Sequence, residues 1–374
     1  MKPTIKEITG TKGLKQFIRF PEELYKDSEY FVSPLRRNEF KTLSKKHNPA
    51  FDYCEAKYWL AYHGNRIVGR VAGIINRKYN DFHKEAFARF GWLDFIEDKD
   101  VVQALLQTVE QWAGGKELTT IHGPLGFTSF DASGVLIQGF EELPTSFAHY
   151  NYPYYDELIR QAGYEKDVDW VEFQIKVPPA IPEKVKRAAS LIRERYQVHE
   201  AVFFQKKDLL NYTDSFFELI NKAYRGLYGF SELTPRQVKL LAKDFFPLVT
   251  PEYSAFILDK EDNLVGIGVT IPSLSKALKK SKGKLFPLGF FRILRALKKN
   301  DIVDFLLIAI DPKYQNKGIN ALIIEHIADE LIRNGIQYVE TNRELENNVK
   351  VQALWKDYNP RQHKKARSYI KKLL

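Results

Sequence analysis

Hydrophobic and polar positions follow a regular succession in the second half of the chain. An apolar run at residues 304–310 is followed by a polar loop and then by apolar residues at helical spacing from Ala321 to Arg333. Gly335 marks a stop, residues 336–341 are again strand-like, and a short helical pattern precedes a basic segment that ends at Tyr369. The pattern predicts the order strand, helix, strand, helix, strand.

The first half of the chain shows the same order of elements. Its predicted elements are strands 58–62, 67–75, 91–96, 119–123 and 169–175 and helices 101–112 and 154–162. In the second half, a hairpin of strands 254–258 and 264–271 precedes the succession described above. The proline-rich segment 176–182 separates the halves, so we predict two domains, residues 1–178 and 179–374.

The loop that precedes helix 321–333 has the composition of an anion-binding site. The first N–H groups of a helix have no acceptor within the helix, and the aligned peptide dipoles make this end partly positive. Gly318 allows the backbone to approach a ligand closely, while Gln315 and Lys317 add side-chain donors and a positive charge. The loop predicts a site for a phosphate or pyrophosphate, with an ordinary strand-to-helix turn as the alternative.

This strand–loop–helix resembles the acyl-CoA-binding signature of the GNAT superfamily of N-acyltransferases. That signature reads Arg or Gln, two residues, Gly, any residue, then Gly or Ala, and Gln315, Gly318 and Asn320 stand at its defined positions. Asn320 departs from the pattern because it carries a side chain where close approach to the ligand is expected. The resemblance covers residues 200–374.

The second predicted helix extends the resemblance. In GNAT proteins it commonly carries an Asn, an Ala and a Leu-Tyr pair, and this chain has Asn348, Ala353 and Leu354 followed by Trp355 in place of the Tyr. The resemblance implies an α/β (α+β) fold with two tandem GNAT-like domains. Each domain is expected to be a mixed, mostly antiparallel sheet flanked by helices.

The resemblance also implies an activity, the transfer of an acyl group from acyl-CoA, as co-substrate, to an amine acceptor. The residues expected to contact acyl-CoA are Ile308, Ile310, Gln315, Asn316, Lys317, Gly318, Ile319, Asn320 and Asn348. A backbone N–H near Ile310 would meet the oxygen of the tetrahedral intermediate. No metal site is expected, because the eight histidines show no paired ligand spacing.

Catalysis requires a neutral amine, and a lysine-like amine of pKa about 10.4 is almost fully charged at pH 7. Asp304 is the first candidate for the base that removes its proton, because it stands on the predicted central strand, and Glu340 on the next strand is the second. An ordinary strand-end or surface role is the alternative for each carboxylate. Tyr358 is the candidate for protonating the departing thiolate, with solvent as the alternative.

The first half lacks an equivalent phosphate loop. Glu97, Asp98 and Asp100 stand where the phosphates would bind, and three carboxylates repel a pyrophosphate. We therefore expect the first half to shape the acceptor cleft and to support the second half. The aromatic residues between Tyr150 and Tyr155 either line that cleft or pack in the interior.

Positive charge is concentrated in the second half. Residues 1–175 hold 22 Lys and Arg against 25 Asp and Glu, whereas residues 176–374 hold 35 against 22. A basic insertion spans residues 272–303, and its segment 276–300 contains nine Lys or Arg and no Asp or Glu. From Leu288 onward, apolar residues fall at helical spacing with basic residues between them, which predicts an amphipathic cationic helix.

This basic helix has three interpretations. It can lie on an anionic membrane surface, it can pack on the core of the protein with its charges in solvent, or it can bind RNA phosphates. An anionic membrane surface is the partner we favour, and nucleic acid ranks below it.

Composition favours the cytoplasm. The single cysteine, Cys54, excludes an internal disulfide, and the first residues lack an apolar export segment. We expect a cytoplasmic acyl-CoA-dependent N-acyltransferase that is peripheral on the inner membrane and acts on a lipid or long-chain amine. Two alternatives stay open: an aminoacyl-tRNA-dependent transferase of the peptidoglycan-bridge type, and a non-catalytic sensor that binds CoA or membranes.

Overall fold

The computed structural model describes residues 2–203 and 205–373. The strands in these residues are β1 (Thr4–Glu7), β2 (Cys54–His63), β3 (Arg66–Asn76), β4 (Phe87–Phe95), β5 (Thr120–Gly123), β6 (Val135–Gln138), β7 (Glu165–Lys176), β8 (His199–Glu200), β9 (Ser254–Leu258), β10 (Leu264–Pro272), β11 (Ile302–Ile310), β12 (Tyr338–Thr341), β13 (Glu344–Leu345) and β14 (Arg361–Lys372). The helices are α1 (Gly10–Leu24), α2 (Arg36–Leu43), α3 (Arg77–His83), α4 (Lys99–Gly114), α5 (Tyr154–Gln161), α6 (Glu183–Tyr196), α7 (Thr213–Tyr224), α8 (Pro235–Phe245), α9 (Ser275–Ser281), α10 (Leu288–Lys298), α11 (Ile319–Arg333) and α12 (Val349–Gln352).

The elements predicted for the second half are largely confirmed. The hairpin at 254–258 and 264–271 is β9 and β10, the strand at 304–310 is β11, and the helix at 321–333 is α11. The basic helix predicted from Leu288 onward is α10. These elements were predictable because each buries one face, so their hydrophobic spacing follows their geometry.

The second helix of the C-terminal half is shorter than predicted. α12 ends at Gln352, so residues 353–355 lie in the turns that follow it and not in the helix. Val349 and Val351 are β-branched and support a helix weakly. The side chain of Gln352 donates to the carbonyl oxygens of the preceding loop, which ties the end of this single turn back onto that loop.

The chain divides into two compact units, each composed of more than one segment. Unit 1 contains residues 1–171, 275–293 and 363–374, and unit 2 contains residues 172–274 and 294–362. Strands β7 and β14 and helix α10 therefore contribute residues to both units. The division into two domains, residues 1–178 and 179–374, stays a prediction.

Unit 1 contains a mixed sheet with the strand order β1-β2-β3-β4-β5-β14-β7. β4 and β5 are parallel, whereas the pairs β1–β2, β2–β3, β3–β4 and β5–β14 are antiparallel. The C-terminal strand β14 thus lies inside this sheet. Arg367 of β14 donates from Nε and Nη2 to the buried carboxylate of Asp169 on β7, at 2.7 and 3.0 Å.

In unit 2 the strand order is β7-β12-β11-β10-β9-β8. β11 and β12 are parallel and the other pairs are antiparallel. Helices α11 and α6 pack together on one face, and α7 packs on β10 and β11. Gly268 lets α11 approach the sheet, because a Cβ at this position would lie 2.2 Å from Cγ2 of Ile323. The predicted fold class is confirmed.

Candidate functional site

A β-bulge interrupts the central strand of unit 2. Val269 of β10 is opposite Leu307, but the next residue, Thr270, is opposite Phe305, so Leu306 is the extra residue of β11. A bulge bends its strand and reverses the alternation of side chains beyond it. Accordingly, Phe305 before the bulge and Ile308 after it both contact the core on the α11 side.

The parallel strands β11 and β12 separate at the bulge. Their register runs from Ile302 opposite Tyr338 to Phe305 opposite Thr341, where β12 ends. The N–H of Asn342 then donates to the carbonyl oxygen of Phe305 at 2.9 Å and closes the pairing. Residues 306–310 of β11 continue beyond this point, so one backbone edge of the central strand is left free of β12.

The 311–318 loop, residues 311–318 between β11 and α11, is held by its own hydrogen bonds. The carbonyl oxygen of Asp311 accepts from the N–H groups of Tyr314 and Gln315, and its Oδ1 accepts from the N–H of Lys313. Nε2 of Gln315 donates to the carbonyl oxygen of Ile310 at 3.2 Å. The predicted ligand-binding side chain of Gln315 therefore also fixes the start of the loop.

Four backbone N–H groups at the end of this loop are open. In the described part of the chain, the N–H groups of Asn316, Gly318, Ile319 and Asn320 donate to no protein acceptor. No side chain caps α11, whose N-cap is Gly318, and residues 315–317 are exposed. Several unsatisfied donors at the positive end of a helix form a site for an anion such as a diphosphate.

Gly318 meets two demands that favour glycine. Its φ of 84° lies in the left-handed region, and a Cβ there would lie 2.6 Å from Cδ1 of Ile192 on α6. Nζ of Lys317 lies 4.8 Å from the ring centre of Tyr314 and 5.4 Å from that of Tyr196. Helix α6 therefore borders the loop, a contribution that the sequence did not reveal because no signature residue lies on α6.

The corresponding helix of unit 1 has a different N-terminus. Asp98 caps α4, and its Oδ1 accepts from the N–H of Asp100 at 2.9 Å. A carboxylate occupies the place that an anion would need, so the open helix N-terminus of unit 2 has no counterpart here. That the first half binds no CoA stays a prediction.

The structure brings the two predicted base candidates together. Asp304 on β11 is directly opposite Glu340 on β12, and Glu340 is opposite Gln174 on β7. Nε2 of Gln174 donates to Oε1 of Glu340 at 3.3 Å, and only 1% of Asp304 is exposed. Because Val303 and Phe305 face α11, this row of polar side chains lies on the opposite face of the sheet.

Tyr358 and Asn348 lie apart from this row. Tyr358 packs against the core on the α11 side, and its buried hydroxyl makes no hydrogen bond within the described chain. Burial raises the pKa of Tyr358 to about 12. Asn348 caps α12, with its side chain accepting from the N–H of Val351.

Sequence reasoning missed Glu344. The indole Nε1 of Trp355 donates to Oε1 of Glu344 at 2.7 Å, and the Trp355 ring meets the Phe305 ring edge-on at 5.0 Å. Burial raises the pKa of Glu344 to about 7, although the hydrogen bond from Trp355 and the nearby Thr341 hydroxyl lower it. The available signal was Trp355 itself, an N–H donor in place of the expected tyrosine.

Comparisons with known proteins place this geometry in context. No family model matches the sequence. Protein YghO of Escherichia coli strain K12 is 25% identical over 380 residues, which span 99% of this chain and 95% of that protein. The bacterial ceramide synthase of Caulobacter vibrioides is 26% identical over 289 residues, which span 76% of this chain and 74% of the synthase.

Two solved structures share the fold over essentially the full chain. A tandem GNAT protein from the clavulanic acid biosynthesis pathway has a TM-score of 0.55 at 12% identity and covers 100% of this chain and 99% of its own. A GCN5-related N-acetyltransferase from Sphaerobacter thermophilus has a TM-score of 0.53 at 12% identity, with coverage of 99% and 96%. The fold expected from the resemblance is therefore confirmed: over essentially its whole length, the chain shares the fold of a tandem GNAT protein.

Proposed function

We propose that this protein is an acyl-CoA-dependent N-acyltransferase that transfers an acyl group from CoA to an amine. The observation that carries the proposal is the open N-terminus of α11, where the N–H groups around Gly318 can donate to an anion. The tandem GNAT fold and the ceramide synthase relative support acyltransferase chemistry.

The 311–318 loop would hold the diphosphate of the donor. Its open N–H groups supply hydrogen bonds and Lys317 supplies positive charge. The edge of β11 at residues 306–310, which is not paired with β12, would then bind the amide-containing arm that leads to the thioester. Nδ2 of Asn342 already donates to the Leu306 carbonyl oxygen there, at 3.3 Å. Tyr224 already donates to the Ile308 carbonyl oxygen at 2.9 Å, but a carbonyl oxygen has two lone pairs and can accept a second hydrogen bond.

The acceptor amine would approach the face of the sheet that carries Asp304 and Glu340. Two neighbouring carboxylates attract an ammonium group and can take its proton before attack. The neutral nitrogen then forms a C–N bond with the thioester carbon, and the cationic nitrogen of the tetrahedral intermediate gives up a second proton to solvent. The C–S bond breaks, and the thiolate leaves with the electron pair of that bond. The products are an amide and CoA.

The basic insertion supports a lipid substrate at an anionic membrane surface. In and before α10, the exposed fractions of Phe286, Leu288 and Phe291 are 67%, 59% and 66%. The cationic residues of the same segment are Lys276, Lys279, Lys280, Lys282, Lys284, Arg292, Arg295, Lys298 and Lys299. Exposed aromatic side chains among positive charges suit the boundary between acyl chains and anionic headgroups.

This arrangement favours surface attachment over a membrane span. Among the described residues, no helix combines the length and apolarity needed to cross a bilayer. Ceramide is the amide of a long-chain amine, so the name of the Caulobacter relative also favours a long-chain amine as acceptor.

The donor site is tested by calorimetric titration of CoA into the wild-type protein and the variant Lys317→Glu. We expect the wild type to bind CoA and the variant to bind at least about tenfold more weakly, because the substitution reverses a charge beside the diphosphate. Lys260→Glu reverses an exposed charge on the β9–β10 turn and serves as the matched control. Absence of CoA binding to the wild type would refute the proposal.

The activity is tested by mass spectrometry of wild-type reactions that pair acyl-CoA donors with long-chain amines, polyamines and peptides. An amide product that carries the acyl group is expected for a long-chain amine. CoA binding without any amide product would favour the sensor. The excess positive charge of the second half keeps the tRNA-dependent transferase as a second candidate, and steeply salt-dependent tRNA binding without CoA binding would favour it.

A further inference from the structure

A proton must reach the sulfur of CoA when the C–S bond breaks, and the residues assigned so far supply it poorly. Tyr358 has a pKa of about 12, far above the value of about 8.5 of an ordinary thiol, so a proton transfer from its hydroxyl to a thiolate is unfavourable. Trp355 has an indole N–H that is not an acid in this pH range. Asp304 and Glu340 lie on the other face of the sheet.

Glu344 lies at the place where β11 and β12 separate. It follows the end of β12 closely, and through Trp355 it is joined to Phe305, the last paired residue of β11 before the bulge. Under the proposed function, a donor anchored at the 311–318 loop would run along β11 from Ile310 back towards the bulge. That stretch of four residue steps is about 13 Å long, so the far end of the donor would arrive near Glu344.

The two oxygens of this carboxyl group have different surroundings. Oε1 accepts from the Trp355 indole at 2.7 Å, which fixes the orientation of the group. Oε2 is buried, and within the described chain it makes no direct hydrogen bond. Because Oε1 already accepts from the indole N–H, a proton on Glu344 is favoured on Oε2.

We propose that Glu344 is the acid that protonates the departing CoA thiolate, with Trp355 as the residue that positions it. The inference rests on the proposed function. As the C–S bond breaks, the proton on Oε2 moves to sulfur, and the product is a neutral thiol. The carboxylate left behind recovers a proton from solvent, or the one removed from the amine, before the next turnover.

The acidity of the group agrees with this role. A carboxyl of pKa about 7 is about half protonated at neutral pH, and it is a stronger acid than an ordinary thiol by more than one pKa unit. The charged and titratable groups on the elements around Glu344 are Glu172 and Arg343, which pair at 3.1 Å, Asp357 and Tyr358 beside Trp355, and Asp304 and Glu340 on the other face.

The test measures single-turnover rates between pH 5.5 and 9.5, with enzyme in excess over the donor and acceptor pair that the wild type converts. Glu344→Gln keeps an oxygen that accepts from Trp355 but removes the acid. We expect the wild-type rate to fall above pH about 7, and the variant to lose this fall. The variant should be at least about 100-fold slower at pH 6 and nearly equal to the wild type at pH 9.

Two further variants separate acid catalysis from a structural role. Trp355→Phe removes the N–H that favours the carboxylate, so the fall in rate should move to higher pH. Asp357→Asn changes an exposed carboxylate of the neighbouring turn and should keep the wild-type profile. Calorimetric titration of CoA should give similar dissociation constants for the wild type and Glu344→Gln.

The outcomes are distinguishable. A Glu344→Gln variant that binds CoA and keeps the wild-type rate and its fall above pH 7 would overturn the role of Glu344 alone. A rate loss of the same size at every pH would show that Glu344 only supports Trp355, and would also overturn it. A wild-type protein that binds no CoA would instead remove the proposed function.

Discussion

At the scale of single residues, the candidate site depends on positions where one side-chain choice serves two purposes. Gly318 adopts a left-handed backbone that opens the first N–H groups of α11, and it also makes room for Ile192 of α6. Trp355 packs on Phe305 and orients Glu344. Such positions couple the stability of unit 2 to its proposed chemistry, so substitutions should change both.

The first prediction compares two glycines with similar backbones and different surroundings. Gly318 and Gly335 have φ values of 84° and 68°, but only at Gly318 would an added Cβ lie within 4 Å of a neighbouring side chain. Each change to Ala should cost about 1 kcal/mol in the free energy of unfolding for the left-handed backbone. Gly318→Ala should cost about 0.5–1.5 kcal/mol more, because the end of the Ile192 side chain must turn aside.

Chemical denaturation measures these two free energies, and calorimetry measures CoA binding by the same variants. Gly335→Ala should bind CoA as the wild type does, since Gly335 lies beyond the other end of α11. Equal losses of stability in the two variants would contradict the assigned contact with Ile192.

At the scale of elements, hydrophobic spacing predicted β11 and α11, which flank the 311–318 loop, because each of those elements buries one face. The same spacing could not predict Glu344, which stands in a two-residue strand after β12 and is brought to Trp355 by tertiary packing. The spacing also predicted a longer helix than α12, which ends after one turn at Gln352, where the Gln352 side chain bonds to the preceding loop. The amino-acid composition of β11 likewise gives no indication of the bulge at Leu306.

Helix α10 provides a prediction about membrane attachment. The double variant Phe286→Ser, Phe291→Ser should bind vesicles containing anionic lipid at least about tenfold more weakly. The reason is that it removes two phenyl rings whose transfer from water into the acyl region contributes favourable binding free energy. Its unfolding free energy should change little, since both side chains are about two-thirds exposed. Vesicle sedimentation and chemical denaturation measure the two quantities.

The matched control is Val202→Ser, which removes an apolar side chain that is 73% exposed outside the basic insertion. Vesicle binding should be unchanged in this control. If the double variant retained full affinity for anionic vesicles, the proposed membrane surface would have to lie elsewhere or be absent.

At the scale of the whole molecule, the sequence pattern indicated two successive halves, but the structure distributes segments between its compact units. Residues 275–293 and 363–374 belong to unit 1 although they stand in the second half of the chain. Local periodicity contains no information about which sheet a strand joins, since β14 has the same pattern wherever it pairs. One motif was enough to predict the fold, but the sequence did not indicate that segments of the second half belong to unit 1.

Because residues 363–374 belong to unit 1, we predict that unit 1 needs them to fold. Their deletion removes β14 from between β5 and β7 and leaves the buried Asp169 without Arg367. We expect unit 1 to lose cooperative unfolding, because the pairing of β14 is lost and Asp169 keeps Lys166 but loses Arg367 and Lys365. Hydrogen exchange of β2 to β5 measures this loss.

A synthetic peptide of residues 361–374 should restore protection when added to the truncated chain. The point variant Lys350→Ala, an exposed change on α12, should leave the protection of β2 to β5 unchanged and serves as the control. Wild-type protection of those strands in the truncated chain would contradict the assignment of β14 to unit 1.

The position of β14 has a consequence for biosynthesis. The ribosome must translate about 200 residues beyond residue 171 before the strand that fits beside β5 exists, which takes roughly 10–40 s at the usual elongation rate of about 5–20 residues per second. During this interval the nascent chain exposes an unpaired strand edge. A chaperone that shields this edge on the ribosome would therefore reduce aggregation of the nascent chain.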